Sequence, residues 1–353
     1  MPKPGPGLRL LDVARHAGVS LATASRALAG REGVSQEVAN RVRQVADDLG
    51  YVANPFARTL AGGASPTVGL IVHQIDDPYF SEIAGGVIQL ADERRLLVQI
   101  CHSGRDPGHE LRQIRHLIAQ RAGVIIIAGS GFGDPGVEAE TRTVLAGYQR
   151  GGGRVAVIGR HALDADAVLP DNVAGGHALG SHLAELGHRR IAVAAGAAVL
   201  NTVADRLAGV AAALRRHGLS PDDVPVVHAD FVREGGRLAA DRILRDHPDT
   251  TAIIALNDAM AMGVLATLRE RGIGVPSRMS VAGFDDVSVA ADLAPSLTTV
   301  RLPMTDMGRT ALELALKSAG SRPRRRPTGH RLIVRDSTGL VPSGARLAGE
   351  GVE

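Results

Sequence analysis

The chain has 353 residues, 44% of them hydrophobic, which suits two or three domains with substantial cores. Its single cysteine, Cys101, excludes an intrachain disulfide and a cysteine-rich metal site and fits a reducing compartment. The formal charge of +3 is uneven: residues 1–60 hold eight basic residues against five acidic ones, so the whole excess lies there. A basic head on a formally neutral body is the footprint of a domain that meets phosphates. The opening residues MPKPGPGLRL show no secretory signal, and no apolar run is long enough to span a membrane. A cytoplasmic protein without a membrane partner is therefore expected.

In chain order, Leu10–Ala17 reads as a short helix, broken by Gly18-Val19-Ser20, where glycine permits a turn and Ser20 can cap the next helix. Leu21–Leu28 forms a second short helix, with Ala14, Val19, Ala24 and Leu28 packing between the two. A third helix begins after Ser35. Its residues Val38, Val42, Val45 and Leu49, at i, i+4, i+7 and i+11, form a buried stripe. Helix, three-residue turn, helix is the pattern of a DNA reader, and small residues plus one arginine on the second helix suit a major groove.

These residues are specific enough to compare. Asp12-Val13-Ala14, Ala17-Gly18-Val19-Ser20, Ser25-Arg26, Val34-Ser35, Leu49-Gly50-Tyr51 and Asn54-Pro55 resemble the head of the LacI-type repressor family. The resemblance implies that Leu21, Ala22 and Arg26 read bases, and that Thr23, Ser25 and Asn54 position phosphates. Two positions depart from the usual pattern: Ala29 stands for an asparagine and Ala24 for a valine.

Next comes Asn54–Gly63, with Pro55 suited to a first helical turn and Gly62-Gly63 closing it. Such a helix is too short to be stable alone in water. In the family it folds on the minor groove, and Leu60 matches the leucine wedged into the central base step.

From Thr67 onward, apolar runs of strand length alternate with helical stretches. The strands are read at Val68–Val72, Leu96–Ile100, Val124–Ile127, Arg154–Ile158, Arg190–Ala195, Val224–Val227, Ala252–Leu256 and Met279–Gly283. This alternation predicts parallel sheets covered by helices, folded as two lobes with a ligand cleft beyond the strand ends. The body is similar to the periplasmic-binding-protein-like sensor of the same family through Pro78-Tyr79-Phe80, Pro170-Asp171-Asn172, Arg206-Leu207-Ala208-Gly209, Asn257-Asp258 and Gly283-Phe284-Asp285-Asp286. The expected organisation is a helix-turn-helix domain at 1–53, a hinge at 54–65, a two-lobed effector-binding and dimerisation domain at 66–342 and a flexible tail at 343–353. The basic run Arg322–Arg326 is expected to be a solvated crossover loop, and the tail has no leucine heptads that would make a tetramer.

Four of the eight aromatic residues, Tyr79, Phe80, Phe231 and Phe284, are expected in loops after strands, facing the cleft. Arg206, Asn257 and Asp285 would supply donors and acceptors among them. Gly159 stands where many family members place an acidic ligand contact, and Arg160 beside it is expected either to meet an anionic group or to pair with a carboxylate. Arg206→Ala is expected to abolish the effector response while leaving the fold intact. No phosphate loop, clustered metal ligands or nucleophile motif is found, so neither an enzyme nor a cofactor is expected. The reading is a repressor that binds a palindromic DNA operator as a homodimer and is released by a small molecule, a sugar or a related metabolite. A purine-like corepressor that promotes binding stays open, and a transport binding protein is the rival of a different class.

Overall fold

The chain divides after Pro66 into two units. The computed structural model describes residues 8–30, 32–51, 65–318, 320 and 322–341. The predicted hinge residues Asn54, Pro55 and Leu60, and the tail 343–353, lie outside the described residues.

The first unit holds α1 (Leu10–His16), α2 (Leu21–Ala29) and α3 (Gln36–Asp48). Ser20 caps α2, its Oγ accepting from the Thr23 amide at 3.1 Å, and Ser35 caps α3 through the Val38 amide. Gly18 sits at φ +65°, a left-handed backbone that favours glycine and turns the chain between α1 and α2. The core is built from small side chains: Val13, Ala14, Ala24, Ala27, Val42 and Ala46 are buried, with Val19, Leu28, Val38, Val45 and Leu49 packed around them. The expected α3 stripe is present, and Ala39 and Ala46 extend it where α2 crosses.

The second unit has two lobes. In the first lobe β1 (Thr67–Val72), α4 (Pro78–Glu93), β2 (Leu97–His102), α5 (Pro107–Ala119), β3 (Val124–Ala128), α6 (Ala139–Arg150), β4 (Arg154–Ile158) and β5 (Asp166–Leu169) alternate. Their sheet gains a later strand, β11 (Arg325–Pro327), at one edge and runs β11-β5-β4-β3-β1-β2, all parallel. β1 and β3 are buried along their whole length, whereas the edge strand β2 leaves Leu97 and Ile100 exposed.

The second lobe contains α7 (Asn172–Glu185), β6 (Ile191–Ala195), α8 (Asn201–Arg216), β7 (Val226–His228), α9 (Arg233–Asp246), β8 (Ala252–Ala255), α10 (Asp258–Glu270) and β9 (Ser280–Ala282). Its parallel sheet runs β7-β6-β8-β9. An antiparallel pair, β10 (Thr299–Arg301) with β12 (Arg331–Ile333), follows, and α11 (Met304–Leu316) returns to pack on α4 in the first lobe. The chain thus crosses between lobes near residues 170, 302 and 329, and His330 bonds Asp171 at 2.8 Å to join two of the crossings.

Two expectations are corrected, the bounds of two strands and the run read as a crossover loop, and four short strands are added. The strands read at Leu96–Ile100 and Val224–Val227 lie two residues later at their far ends in the first case and at both ends, by one or two residues, in the second. The strands β5, β10, β11 and β12 are too short or too polar to show in the apolar pattern. Arg325–Pro327 is not a loop but β11, an edge strand paired with β5, and the Arg324 guanidinium is held by the Asp166 carboxylate at 2.5 Å. Backbone pairing from Ala167 to the Arg324 carbonyl and from Thr328 to the Leu169 carbonyl overrides the charge of the run. Among the described residues no helix is long and apolar enough to cross a membrane.

Candidate DNA-reading face and effector cleft

On α2 the residues Leu21, Ala22, Ser25 and Arg26 are exposed, and Ala24 and Ala27 are buried against the other helices. Positions 21, 22, 25 and 26 lie on one side of a 3.6-residue helix, so the readers named from sequence share one open face. Thr23 is half-buried, its hydroxyl 2.8 Å from Ser20 Oγ, which ties a proposed phosphate contact to the helix cap. The Arg26 Nε donates to the Ala22 carbonyl at 3.2 Å, laying the side chain along the face.

The cleft lies at the carboxyl ends of the strands. From the first lobe come His73 after β1, Asp77, Tyr79 and Phe80 at the start of α4, Arg105 after β2, and Ser130 after β3. From the second lobe come Thr202 and Arg206 on α8, Phe231 after β7, Asn257 after β8 and Asp285 after β9. The cavity holds about 380 Å³ including its mouth. The lobes touch around it: the Thr202 amide donates to Ser130 Oγ at 3.0 Å, and the Asn201 amide to the Gly131 carbonyl at 3.0 Å. A larger groove of about 960 Å³ lies on the second lobe beside Met262, Leu265 and Leu293, but its lining is mostly aliphatic and lacks convergent acceptors.

Arg206 is the centre of the cleft wall and is only 3% exposed. Its Nε donates to Asn172 at 2.9 Å, one guanidinium nitrogen to the Leu256 carbonyl and the other to Asp285 at 2.7 Å, and Cζ lies 3.7 Å over the Phe284 ring. The close approach of α7 to α8 seats this arginine: a Cβ on Gly176 would stand 2.2 Å from the Arg206 carbonyl oxygen. Burial pushes the Asp285 carboxyl up to about 7, the Arg206 charge countering it only in part. Asp258, buried behind it and bonded to Thr299 and the Val287 amide, is likewise raised by burial.

On the facing lobe, Tyr79 and Phe80 meet edge to face with centroids 5.0 Å apart. Asp77 caps α4 through the Tyr79 amide at 3.1 Å and lies 3.6 Å from Arg105. The Arg105 guanidinium reaches both lobes, 6.0 Å from the Phe80 centroid and 5.5 Å from that of Phe231. His73 is buried 3.7 Å from Glu110, and burial lowers its pKa, favouring the neutral ring. Behind it His161 and Glu138 form a buried pair at 2.6 Å, with Glu138 also accepting from the Ala162 amide.

Of the predicted effector residues, Tyr79, Phe80, Arg206, Phe231, Asn257 and Asp285 line the cavity. Asn257 also has a local duty, capping α10 through the Met260 amide at 2.9 Å. Arg160 does not line it; its guanidinium is about half exposed and held by both oxygens of Asp205. Tyr79 and Phe80 lie in the first turn of α4 rather than a loop, and Phe284 is fully buried beneath Arg206, away from the cavity. The network around Arg206 argues against an intact fold in Arg206→Ala, since the substitution would strand Asp285 and Asn172 in the interior. His73, Asp77, Arg105, Ser130 and Thr202 escaped the sequence reading, although His73 and Arg105 follow strand ends just as the chosen residues do.

A helix-turn-helix head followed by a two-lobed body with a polar and aromatic inter-lobe cavity defines the class of DNA-binding regulators that carry their own small-molecule sensor. Known proteins give the family. Residues 9–54 match the bacterial regulatory proteins of the lacI family, and residues 181–338 match the periplasmic binding protein-like domain. The HTH-type transcriptional regulator GalS of Salmonella typhimurium is 32% identical over 322 residues, covering 88% of this chain and 90% of that one. The HTH-type transcriptional repressor CytR of Escherichia coli is 32% identical over 339 residues, covering 94% and 96%. Among solved structures, the transcriptional regulator CelR in complex with cellobiose is 28% identical with a TM-score of 0.69, covering 94% and 99%. The fold also matches the lac repressor dimer bound to operator and the anti-inducer ONPF, at a TM-score of 0.81 and 24% identity, covering 95% and 100%. The chain belongs to the lacI family of bacterial regulatory proteins and is a DNA-binding transcriptional regulator.

Proposed function

We propose that this regulator is a repressor that binds a palindromic operator as a homodimer and is released by a small, neutral, polyhydroxylated effector held between its lobes. It acts in the cytoplasm, without enzymatic activity. Residues 1–53 read DNA, with Leu21, Ala22 and Arg26 at base edges and Thr23, Ser25 and Asn54 at phosphates. Residues 54–65 are the hinge that carries the Leu60 wedge, 66–342 sense the effector and dimerise, and 343–353 are a tail.

The observation that carries the effector class is charge compensation. Each cation near the cleft has a carboxylate: Arg206 with Asp285 at 2.7 Å, Arg105 with Asp77 at 3.6 Å and Arg160 with Asp205 at 2.7 Å, while His73 is held neutral. An anionic ligand would displace one of these carboxylates without gaining a free cation. A polyol can bond to the outer edges of these pairs while Phe80 and Phe231 cover its C–H faces. The relatives' printed ligands, cellobiose for CelR and ribose for a LacI-family regulator from Enterococcus faecium, are of this class.

The test is a thermal-shift screen of the full chain with neutral sugars, sugar phosphates and nucleobases. A neutral sugar is expected to raise the melting temperature and to weaken binding to an operator selected from a randomised duplex pool. Stabilisation by a sugar phosphate alone would refute the neutral-effector reading. Leu60→Ala is expected to weaken operator binding far more than random-sequence binding, and equal losses on both duplexes would contradict the wedge.

A further inference from the structure

We infer that Arg160 and Asp205 are positioning residues of an inter-lobe clasp, which sets the balance between two arrangements of the lobes and through it the affinity for DNA. The sign of the effect rests on the reading of the cavity as an effector cleft whose occupancy releases the operator; the clasp itself does not.

The first lobe's half of the clasp is a pair of loops locked into one jaw. Residues 129–133 follow β3 and residues 159–162 follow β4. The Gly131 amide donates to the Arg160 carbonyl at 3.0 Å, and the His161 ring is fixed between Glu138 and the Gly129 carbonyl, 2.6 Å from each. Glu138 also accepts from the Ala162 amide at 2.7 Å. The loops lie too close for a side chain at Gly159, where a Cβ would stand 2.8 Å from the Ser130 Cα.

The second lobe's half is the start of α8. Leu200 stands at its N-cap and has no side-chain acceptor, so the first amides of the helix need acceptors from elsewhere. They find them across the gap: the Asn201 amide donates to the Gly131 carbonyl at 3.0 Å and the Thr202 amide to Ser130 Oγ at 3.0 Å. Beside them the Gly133 amide donates to the Val199 carbonyl at 2.7 Å, and Phe132 and Leu200 pair as an antiparallel bridge. Arg160 is gripped at both ends by this helix. Its carbonyl accepts from Asn201 Nδ2 at 2.9 Å, and its guanidinium donates to both oxygens of Asp205, at 2.7 and 3.2 Å. Asn201 and Asp205 are four residues apart and so share one face of α8.

Neither Arg160 nor Asp205 lines the cavity, yet α8 ties the clasp to the cleft. Thr202 belongs to both, and Arg206, next to Asp205, holds Asp285 at 2.7 Å in the cavity wall. A ligand that moves Thr202 or Arg206 therefore moves the helix end that the first lobe caps. The Arg160 side chain is about half exposed. An ion pair this open to water shifts an equilibrium by about two- to fivefold. That is enough to bias two arrangements of the lobes without locking either one.

The experiment is a double-mutant cycle in the ligand-free full chain, with Arg160→Met, Asp205→Ala and the two combined. One readout is hydrogen exchange at the amides of Gly133, Asn201 and Thr202, which donate across the clasp. The other is affinity for the operator selected from a randomised duplex pool, at one fixed salt concentration, with thermal unfolding as the check on the fold. Each single variant is expected to speed exchange at these amides and to shift operator affinity by about two- to fivefold. The double variant is expected to match the singles, because all three remove the same contact. Tighter operator binding is the expected direction, since an effector that bridges the lobes favours the clasped arrangement and releases DNA. Weaker binding with the same non-additive pattern keeps the clasp and overturns the release reading. Unchanged exchange, unchanged operator affinity, or effects that add in the double variant overturn the inference.

Discussion

Arg105 shows what a single side chain decides in this cleft. Among the described residues it is the one cation whose guanidinium approaches aromatic rings of both lobes, and its partner Asp77 is 3.6 Å away rather than in tight contact. Arg105→Met is therefore expected to keep the fold and to weaken the effector about tenfold, a loss of about 1.4 kcal/mol, read by calorimetry with the sugar found in the screen. Unaltered affinity would place Arg105 outside the binding contacts. The His161–Glu138 pair behaves differently because it is wholly interior. Burial alone would lower the His161 pKa, but the hydrogen bond and charge of Glu138 outweigh it and hold the ring above its usual value. Burial alone would raise Glu138, yet His161 and the Ala162 amide bring it below its usual value. The histidine contribution is complete below 6.5 and disappears as pH rises through its raised folded value. The glutamate contribution is complete above 4.5 and disappears as pH falls through its lowered one. Glu138→Gln is expected to cost about 3 kcal/mol near pH 6, with the difference from the parent shrinking toward both extremes, as measured by denaturant unfolding at several pH values.

At the scale of elements, the head was legible because its signals are local. A glycine turn, the Ser20 cap and a period-3.6 apolar stripe each act within a few residues, and all three appear as read, while Ser35, read only as preceding the third helix, also caps it. Ser20→Ala should destabilise the head by about 1 kcal/mol, since the Thr23 amide loses its acceptor, and operator binding should weaken in parallel. Unfolding of the head at the parental midpoint would contradict this. The buried strands were equally legible, because strands covered on both faces are apolar throughout. The edge strand β11 was not: its charged residues carry no apolar signature, and only backbone pairing with β5, distant in sequence, makes it a strand. The same limit applies to the cleft. Aromatic residues after strands could be chosen from sequence, but that Arg160 would turn to Asp205, and Phe284 go beneath Arg206, depends on contacts made only in the folded lobes.

At the scale of the molecule, the parallel first sheet gives one lobe two ends with different chemistry. Its carboxyl end shares the effector cleft with the second lobe, and its amino end receives the chain from the DNA-reading unit. A ligand can alter DNA binding only through unequal affinity for two arrangements of the lobes. The contacts that would report such a change are visible in the pairing of Thr202 with Ser130 and of Asn201 with Gly131 across the cleft. The most direct measurement of the central claim is operator affinity of the full chain at one fixed salt concentration, with and without the neutral sugar that stabilises it. The account predicts a loss of affinity of about fivefold or more at saturating sugar. A sugar that stabilises the protein but leaves operator affinity unchanged would contradict it.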